Sequence, residues 1–410
     1  MDVTWGQAAA VLDGNWLGSS TVPSRSLYPH QWSWDSAFIA IGLRNLAPSR
    51  ARRELTTLFS AQWRDGRVPH IVFDPGTPPE AYFPGPSFWR AGRTSGLVQP
   101  PVHARAALAV HEAEPDYEFL AALYPKLVAW HDYLRISRDA GGRGLAAIVH
   151  PWESGMDNSP AWDAPLSRVT PSSGFVRRDL QHGAAADRPS DEDYGRYVRL
   201  AADYRDSGYR DAGSFVVEDP GFNALLADGE LALAEIAETL DLPSDAHREA
   251  AARIQKALQE SLWDGDFFFA RDVRSGALIR QYTCAGLLPL LLPDLAVAPA
   301  LLATATGPRF GLGRVHGVPS HDLTAPEFDT GRYWRGPSWF NVGWLVRQGL
   351  LRHGEHALAS RLRDDLVETA SRTDFAEYVD PLTGQGHGAR SFGWTAALTV
   401  DLLAQPVAVA

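Results

Sequence analysis

The stretch 219-DPGFNALLADGELALAEIAETLDL-242 places Phe222, Leu225, Leu226, Leu233, Ile236 and Leu240 at three- and four-residue intervals, the period of an amphipathic α-helix. The next, 243-PSDAHREAAARIQKALQESLW-263, opens with Pro243 and the capping-type Ser244 and repeats the pattern. The same reading predicts helices near 34–46, 48–62, 101–113, 115–137, 191–210, 337–353, 354–371 and 392–403, with weaker signals near 4–13, 282–291 and 296–305. Roughly a dozen helices result, many joined in pairs by turns of a few residues. Strand signal is sparse; the best candidate is a hairpin in 265-GDFFFARDVRSGALIRQ-281, turning at Ser275-Gly276.

Long irregular segments separate some helices, at 64–99, 139–190, 306–336 and 373–391. Loops above about 12–15 residues in a compact domain are usually functional or disordered. These are rich in Trp, Phe, His, Pro and Gly, which argues against disorder. Paired helices with long aromatic loops predict an all-α helical toroid whose loops gather over one mouth. No repeat of 20–50 residues marks an open solenoid, and no linker divides the 410 residues, so one domain over 1–410 is expected.

Composition narrows the function classes. A net charge of -11 without a basic run argues against nucleic acid. Lys126 and Lys256 are the only lysines, so nearly all positive charge is arginine. Cys284, the single cysteine, lies in the apolar run 282-YTCAGLLPLLLP-293 and reads as a small buried hydrophobe. Residues 1–16 lack a basic region followed by an apolar core, and no apolar run approaches about 20 residues. A cytoplasmic protein that neither binds nor spans a membrane is therefore expected; homo-oligomerisation is left open. P-loop, dinucleotide and Gly-x-Ser-x-Gly signatures are absent, and the histidines form no tight ligand motif, so neither metal nor cofactor is expected.

Four segments could carry chemistry. In 28-YPHQWSWDSAFIAIGL-43, Tyr28, Trp32, Trp34 and Asp35 crowd before an apolar helix. Asp35 reads either as an N-cap or as part of a sugar platform, where aromatic faces meet a pyranose and a carboxylate accepts its hydroxyls. In 150-HPWESGMDNSPAWD-163, Glu153, Asp157 and Asp163 sit among tryptophans, whose burial would raise a carboxyl pKa, as a general acid requires. Asp157, two residues after Gly155, is the best placed. In 331-GRYWRGPSWFNVGWLV-346, Tyr333, Trp334 and Trp339 suit a rim and Trp344 a core. In 374-DFAEYVDPLTGQGHGARSFGWTAAL-398, Glu377 precedes a turn and could face Asp157, giving the carboxylate pair of glycoside hydrolysis.

Together with 99-QPPVHARAAL-108 and 187-DRPSDEDYGRY-197, these segments resemble glycoside hydrolase family 63 over nearly the whole chain. The likeness is strongest to its short bacterial branch, which hydrolyses mannosylglycerate and glucosylglycerate. The resemblance implies an (α/α)6 barrel and an inverting mechanism without cofactor, with Asp157 as general acid and Glu377 as general base. Inversion needs room for a water between the two, roughly 6.5–9.5 Å. It further implies a sugar subsite lined by Tyr28, Trp32, Trp34, Asp35, Gln99 and Gly155.

A glycerate carboxylate calls for a fixed cation, and arginine's fork fits it. Arg188 is the chosen candidate, with Tyr194 beside it and Tyr333, Trp334 and Trp339 completing the wall. Arg177, Arg178 and His182 compete, and a surface pair of Arg188 with Asp187 or Asp191 is the structural alternative. Gly174, Gly183 and Pro189 suggest a mobile lid at 165–195. The β-rich N-terminal domain of larger family members is lacking, which favours a small glycoside as partner. A trehalase-like or oligosaccharide α-glucosidase on the same barrel is the runner-up. A helical cyclase is disfavoured by the lack of a DxDD cluster, and a non-catalytic sugar binder would show no turnover.

Overall fold

A computed structural model describes residues 3–181 and 187–405. His182 and Gly183 lie outside the described residues. In chain order the α-helices are α1 (Val3–Gly14), α2 (Ser33–Leu43), α3 (Pro48–Ser60), the short α4 (Pro86–Trp89), α5 (His103–Ala113), α6 (Tyr117–Asp132) and the short α7 (Asp163–Leu166). They continue with α8 (Asp191–Asp206), α9 (Pro220–Thr239), α10 (Asp245–Ser261), α11 (Ala298–Thr306), α12 (Phe340–Arg352), α13 (His356–Arg372) and α14 (Gly393–Ala404).

Packing sorts them into two layers. α2 contacts α5, α5 contacts α9, and α9 contacts a 3-10 helix at Cys284–Leu291. That helix contacts α12, α12 contacts α14, and α14 returns to α2. The closed inner ring of six is wrapped by α3, α6, α10, α11, α13 and α1, each packed on an inner member. This is the expected (α/α)6 barrel, with two differences. The predicted helix near 191–210 is α8, which lies outside the ring and packs on α4. The segment near 282–291 winds as 3-10 helix, and Pro289 inside it has no N–H to give an α-helical ladder.

Inner helices are apolar because they are enclosed. Every residue of α2 is buried, as expected of a helix that is hydrophobic all round. The decisive stretch, α9, departs from its amphipathic reading as far as Glu230, because the polar Asn223, Asp228 and Glu230 are buried too. They are buried in pairs. Asn223 exchanges two hydrogen bonds with the Ala146 backbone, at 2.7 and 2.9 Å. Asp228 takes Arg105 at 2.9 Å. Glu230 meets His131 and Arg135 of the α6 region and His247 of α10, at 3.2, 2.9 and 2.7 Å. The buried carboxylate thus ties one inner helix to two outer ones, which satisfies its charge. Cys284 is buried as expected, with Sγ 3.8 Å from Met156 Sδ.

Three small antiparallel sheets pin the loops that enter the ring. β1 (Gln31–Trp32) pairs with β2 (Ile71–Val72) ahead of α2. β3 (Ala147–Ile148), β4 (Val217–Glu218), β5 (Ala270–Asp272) and β6 (Leu278–Ile279) form a four-stranded sheet that contains the predicted hairpin. β7 (Ser338–Trp339), β8 (Tyr378–Val379) and β9 (Gly386–His387) precede α12 and α14.

Edge-to-face aromatics pack the ring interior. Trp34 and Trp394 meet at 5.4 Å, and Phe38, one turn deeper on α2, touches Trp34, Trp394 and Trp344. Ring closure brings α2 so near α14 that a Cβ on Gly42 would lie 2.2 Å from the Ala397 carbonyl oxygen. Arg44 and Asp401 add an ion pair of 2.7 Å beside that contact. Among the described residues no helix is long and apolar enough to cross a membrane.

Gly42→Ala should overpack the closing contact and cost about 1–3 kcal/mol. The measurement is the urea midpoint of the variant against the parent; an unchanged midpoint would show that α2 and α14 can part without loss.

Candidate active site

A cavity open to solvent lies over the N-terminal ends of α2, α5, α12 and α14. Trp34 and Asp35 open α2, Gln99 precedes α5, Trp339 precedes α12, and Trp394 is the second residue of α14. These helix starts present the positive ends of their dipoles to the cavity.

All the candidate site residues meet on its wall. The first segment contributes Tyr28, Trp32, Trp34 and Asp35; the loops contribute Gln99, Gly155, Asp157, Arg188 and Tyr194. Tyr333, Trp334, Trp339 and Glu377 complete the set. Trp334 and Trp339 are stacked walls rather than an exposed rim, with centroids 4.0 Å apart and planes at 2°. Gly155 has φ +69, and a Cβ there would lie 2.5 Å from the Trp34 ring, so only glycine lets this loop lie on the indole. The Gln99 side-chain oxygen accepts the Trp34 N–H at 3.2 Å, which holds the start of α2. The Tyr194 hydroxyl donates to the Phe83 carbonyl at 3.0 Å.

The three acids of 150–163 have separate fates. Glu153 is fully buried and receives a fork from Arg138 at 2.6 and 2.7 Å. It also accepts the Val149 and Val98 N–H groups, at 2.8 and 3.3 Å. Asp163 pairs with Arg335, one of its bonds being 3.0 Å. Asp157 alone reaches the cavity. Burial pushes its carboxyl up to about 7; Arg188 pulls it down, while Glu377 and Asp179 add to the rise.

Glu377 is 1% exposed. It accepts the Tyr28 hydroxyl at 2.9 Å and the Ala389 N–H at 3.0 Å, with Arg188 Nη2 at 3.6 Å. Burial raises this carboxyl as well, and Arg188, the Ala389 N–H and Tyr28 oppose the rise. Asp35 is not an N-cap. The cap position is Trp32, no side chain caps the helix, and Asp35 sits buried in the first turn. Burial lifts its carboxyl well above the usual range, and the charges of Glu377 and Glu54 add to that.

Arg188 is not the surface partner of Asp187 or Asp191. It is 5% exposed, donates to the Tyr28 hydroxyl at 2.9 Å and lies 4.6 Å over the Tyr333 ring. Among the described residues its Nη2 has no hydrogen-bond partner, and the same holds for the buried Nε1 atoms of Trp32 and Trp394. Arg177 instead takes Asp191 at 3.0 Å and Asp179 at 2.5 Å. Of the competing cations, Arg178 lines the cavity.

Sequence reasoning missed Tyr82, Phe83, Trp152, Asp179, Phe392 and Trp394, all on the same wall. For Trp394 a signal existed: it occupies the second position of α14, as Trp34 does of α2. Tyr82 and Phe83 come from a loop with no periodicity to place them.

The family model for the mannosylglycerate hydrolase MGH1-like glycoside hydrolase domain matches residues 28–395. A mannosylglycerate hydrolase of Rubrobacter radiotolerans is 44% identical over 425 residues, which cover 97% of this chain and 96% of that protein. A glucosylglycerate hydrolase of Mycolicibacterium hassiacum is 38% identical, covering 97% of each. The crystal structure of a family 63 mannosylglycerate hydrolase from Thermus thermophilus, in complex with Tris and D-glycerate, matches with a TM-score of 0.92 at 42% identity. It covers 97% of this chain and 99% of that one.

Glu153→Ala should leave Arg138 buried without its carboxylate and lower unfolding free energy by about 3–5 kcal/mol. Asp163→Ala, whose acid is half exposed, should cost less. Equal urea midpoints for the two variants would contradict this division.

Proposed function

The chain belongs to the mannosylglycerate hydrolase MGH1-like glycoside hydrolases, and from that membership we propose that it hydrolyses α-mannosylglycerate, α-glucosylglycerate or both, with inversion. Asp157, protonated near neutral pH, gives its proton to the glycerate oxygen as that oxygen leaves the anomeric carbon. Glu377, ionised, takes a proton from a water that attacks the opposite face. Free hexose and D-glycerate result.

The observation that carries this reading is the contrast between two carboxyls on one cavity. Among the described residues no cation pairs with Asp157 at bonding distance, and burial pushes it up to about 7. Glu377 is bonded to a hydroxyl and an N–H and has a guanidinium beside it. Hydrogen bonds of this kind favour the charged form of Glu377, and the contrast supports reading Asp157 as the acid and Glu377 as the base.

The glycerate carboxylate is assigned to Arg188 through Nη2, which has no hydrogen-bond partner among the described residues, with Arg178 the second arginine on the wall. Trp34, Trp334 and Trp339 supply flat faces for the hexose, and Asp35 and Gln99 accept or donate to its hydroxyls. The segment 165–195 acts as a lid over the bound substrate. Arg178, Asp179, Pro189 and Tyr194 support that role by lining the cavity from this segment. Its last residues, from Asp191, are already the first turn of α8. Closure would exclude bulk water and strengthen every charge inside.

The test is to incubate the protein with each glycoside and follow free hexose by proton NMR. β-hexose should appear first; initial α-hexose would rule out inversion, and no release from either would sink the substrate assignment. Asp157→Asn and Glu377→Gln should each lower kcat by about 10²–10⁴-fold. The pH profile should be bell-shaped, its alkaline limb near 7 from loss of the Asp157 proton. Arg188 lowers both carboxyls, so Arg188→Met should move both limbs to higher pH. A shift to lower pH, or none, would remove Arg188 from contact with the pair.

A further inference from the structure

Met156, Asp157, Asn158 and Ser159 form one reverse turn, closed by the Ser159 N–H to the Met156 carbonyl at 3.2 Å. Asp157 is its second residue and Asn158 its third. Asn158 has φ +69, the left-handed conformation that the third position of a type II turn requires and that Asn adopts more readily than most residues. The direction of the Asp157 side chain therefore depends on keeping Asn158 left-handed. Asn158 is 2% exposed and far from free. Its N–H donates to the Tyr197 hydroxyl at 3.0 Å, and its side-chain oxygen accepts Arg335 Nε at 3.3 Å.

Arg335 is itself fixed. It is 7% exposed, and its guanidinium ends are held by the Asp163 carboxylate. Its backbone closes the 329–335 loop through two hydrogen bonds, Asp329 N–H to the Arg335 carbonyl and Arg335 N–H to the Arg332 carbonyl, at 3.0 and 2.8 Å. That loop carries Tyr333 and Trp334 of the cavity wall. One guanidinium thus joins the turn that aims the acid to the loop that walls the substrate. Arginine suits the task because its planar fork holds a carboxylate with two donors and leaves Nε for a third acceptor.

We propose that Arg335 is a positioning residue for proton donation: through Asn158 it holds the Asp157 turn, and Asp163 anchors it there. The inference rests on the reading of Asp157 as general acid. It sets Arg335 apart from Arg138, the other buried arginine of this region, which holds the loop from below through Glu153 rather than through Asn158.

The test compares two leaving groups. Glycerate leaves as an alcohol and needs the Asp157 proton; fluoride leaves an α-hexosyl fluoride as an anion and needs little help. Arg335→Ala should lower kcat on the glycerate substrate by about 10–100-fold, part of the roughly 10²–10⁴-fold that a general acid contributes. KM and fluoride hydrolysis should stay within about threefold, since the base side is untouched. Asp163→Asn, milder because Asp163 is half exposed, should show the same selectivity on a smaller scale. Arg335→Lys should fail to restore the glycerate rate, because an ammonium cannot hold Asp163 and Asn158 together.

Fluoride turnover also reports that each variant is folded. Asp157→Asn sets the benchmark. If it slows both substrates equally, Asp157 is not the acid and the functional reading itself fails. If Asp157→Asn is selective but Arg335→Ala and Asp163→Asn slow both substrates alike, or neither, the positioning role is overturned and the reading of Asp157 stands.

Discussion

The active-site cavity depends on the last inner helix lying directly against the first. α2 and α14 are about 350 residues apart in sequence, yet at Gly42 the two backbones approach as closely as a missing side chain allows. Ring closure sets Trp34 beside Trp394, and Tyr28 lies within bonding distance of Glu377. Burial of apolar surface on every side of α2 supplies the driving force. The absent Cβ is what lets that force bring the ring to closure.

Within the ring, desolvation rather than pairing sets the character of the acids. Asp35, Asp157 and Glu377 are all pushed up chiefly by burial. One buried guanidinium, Arg188, moderates Asp157 and Glu377. Three other buried acids are paired with cations: Glu153 with Arg138, Asp228 with Arg105, and Glu230 with Arg135 and two histidines. The near-exclusive use of arginine over lysine gains a structural meaning here. Arg138 and Arg335 each satisfy a carboxylate and a further acceptor at once, which a single ammonium does with less geometric control.

Much of this was legible in the sequence. Helical periodicity located the ring members, because enclosure makes them apolar over long runs. The motif resemblance gathered residues from six segments that share one cavity. What escaped has physical reasons. The 3-10 winding of Cys284–Leu291 follows from Pro289 and tight packing, which leave the same apolar composition as an α-helix. The strands are mostly two residues long, too short for alternation to register. α8 has an ordinary amphipathic stripe, and nothing in that stripe says whether it faces the barrel or its loops. Asp35 looked like a cap because caps and first-turn acids differ by a residue or two. The partners of Arg188 were hidden because Tyr28 and Glu377 come from opposite ends of the chain.

The aromatic packing below the cavity has one more consequence. Trp34 and Trp394 form part of its floor, with Phe38 and Trp344 wedged underneath. Among the described residues these rings close the chamber at its inner end. Whatever enters first goes deepest and must wait for its companion to depart. Traffic is last in, first out, and a long chain can offer only its tip, never thread through.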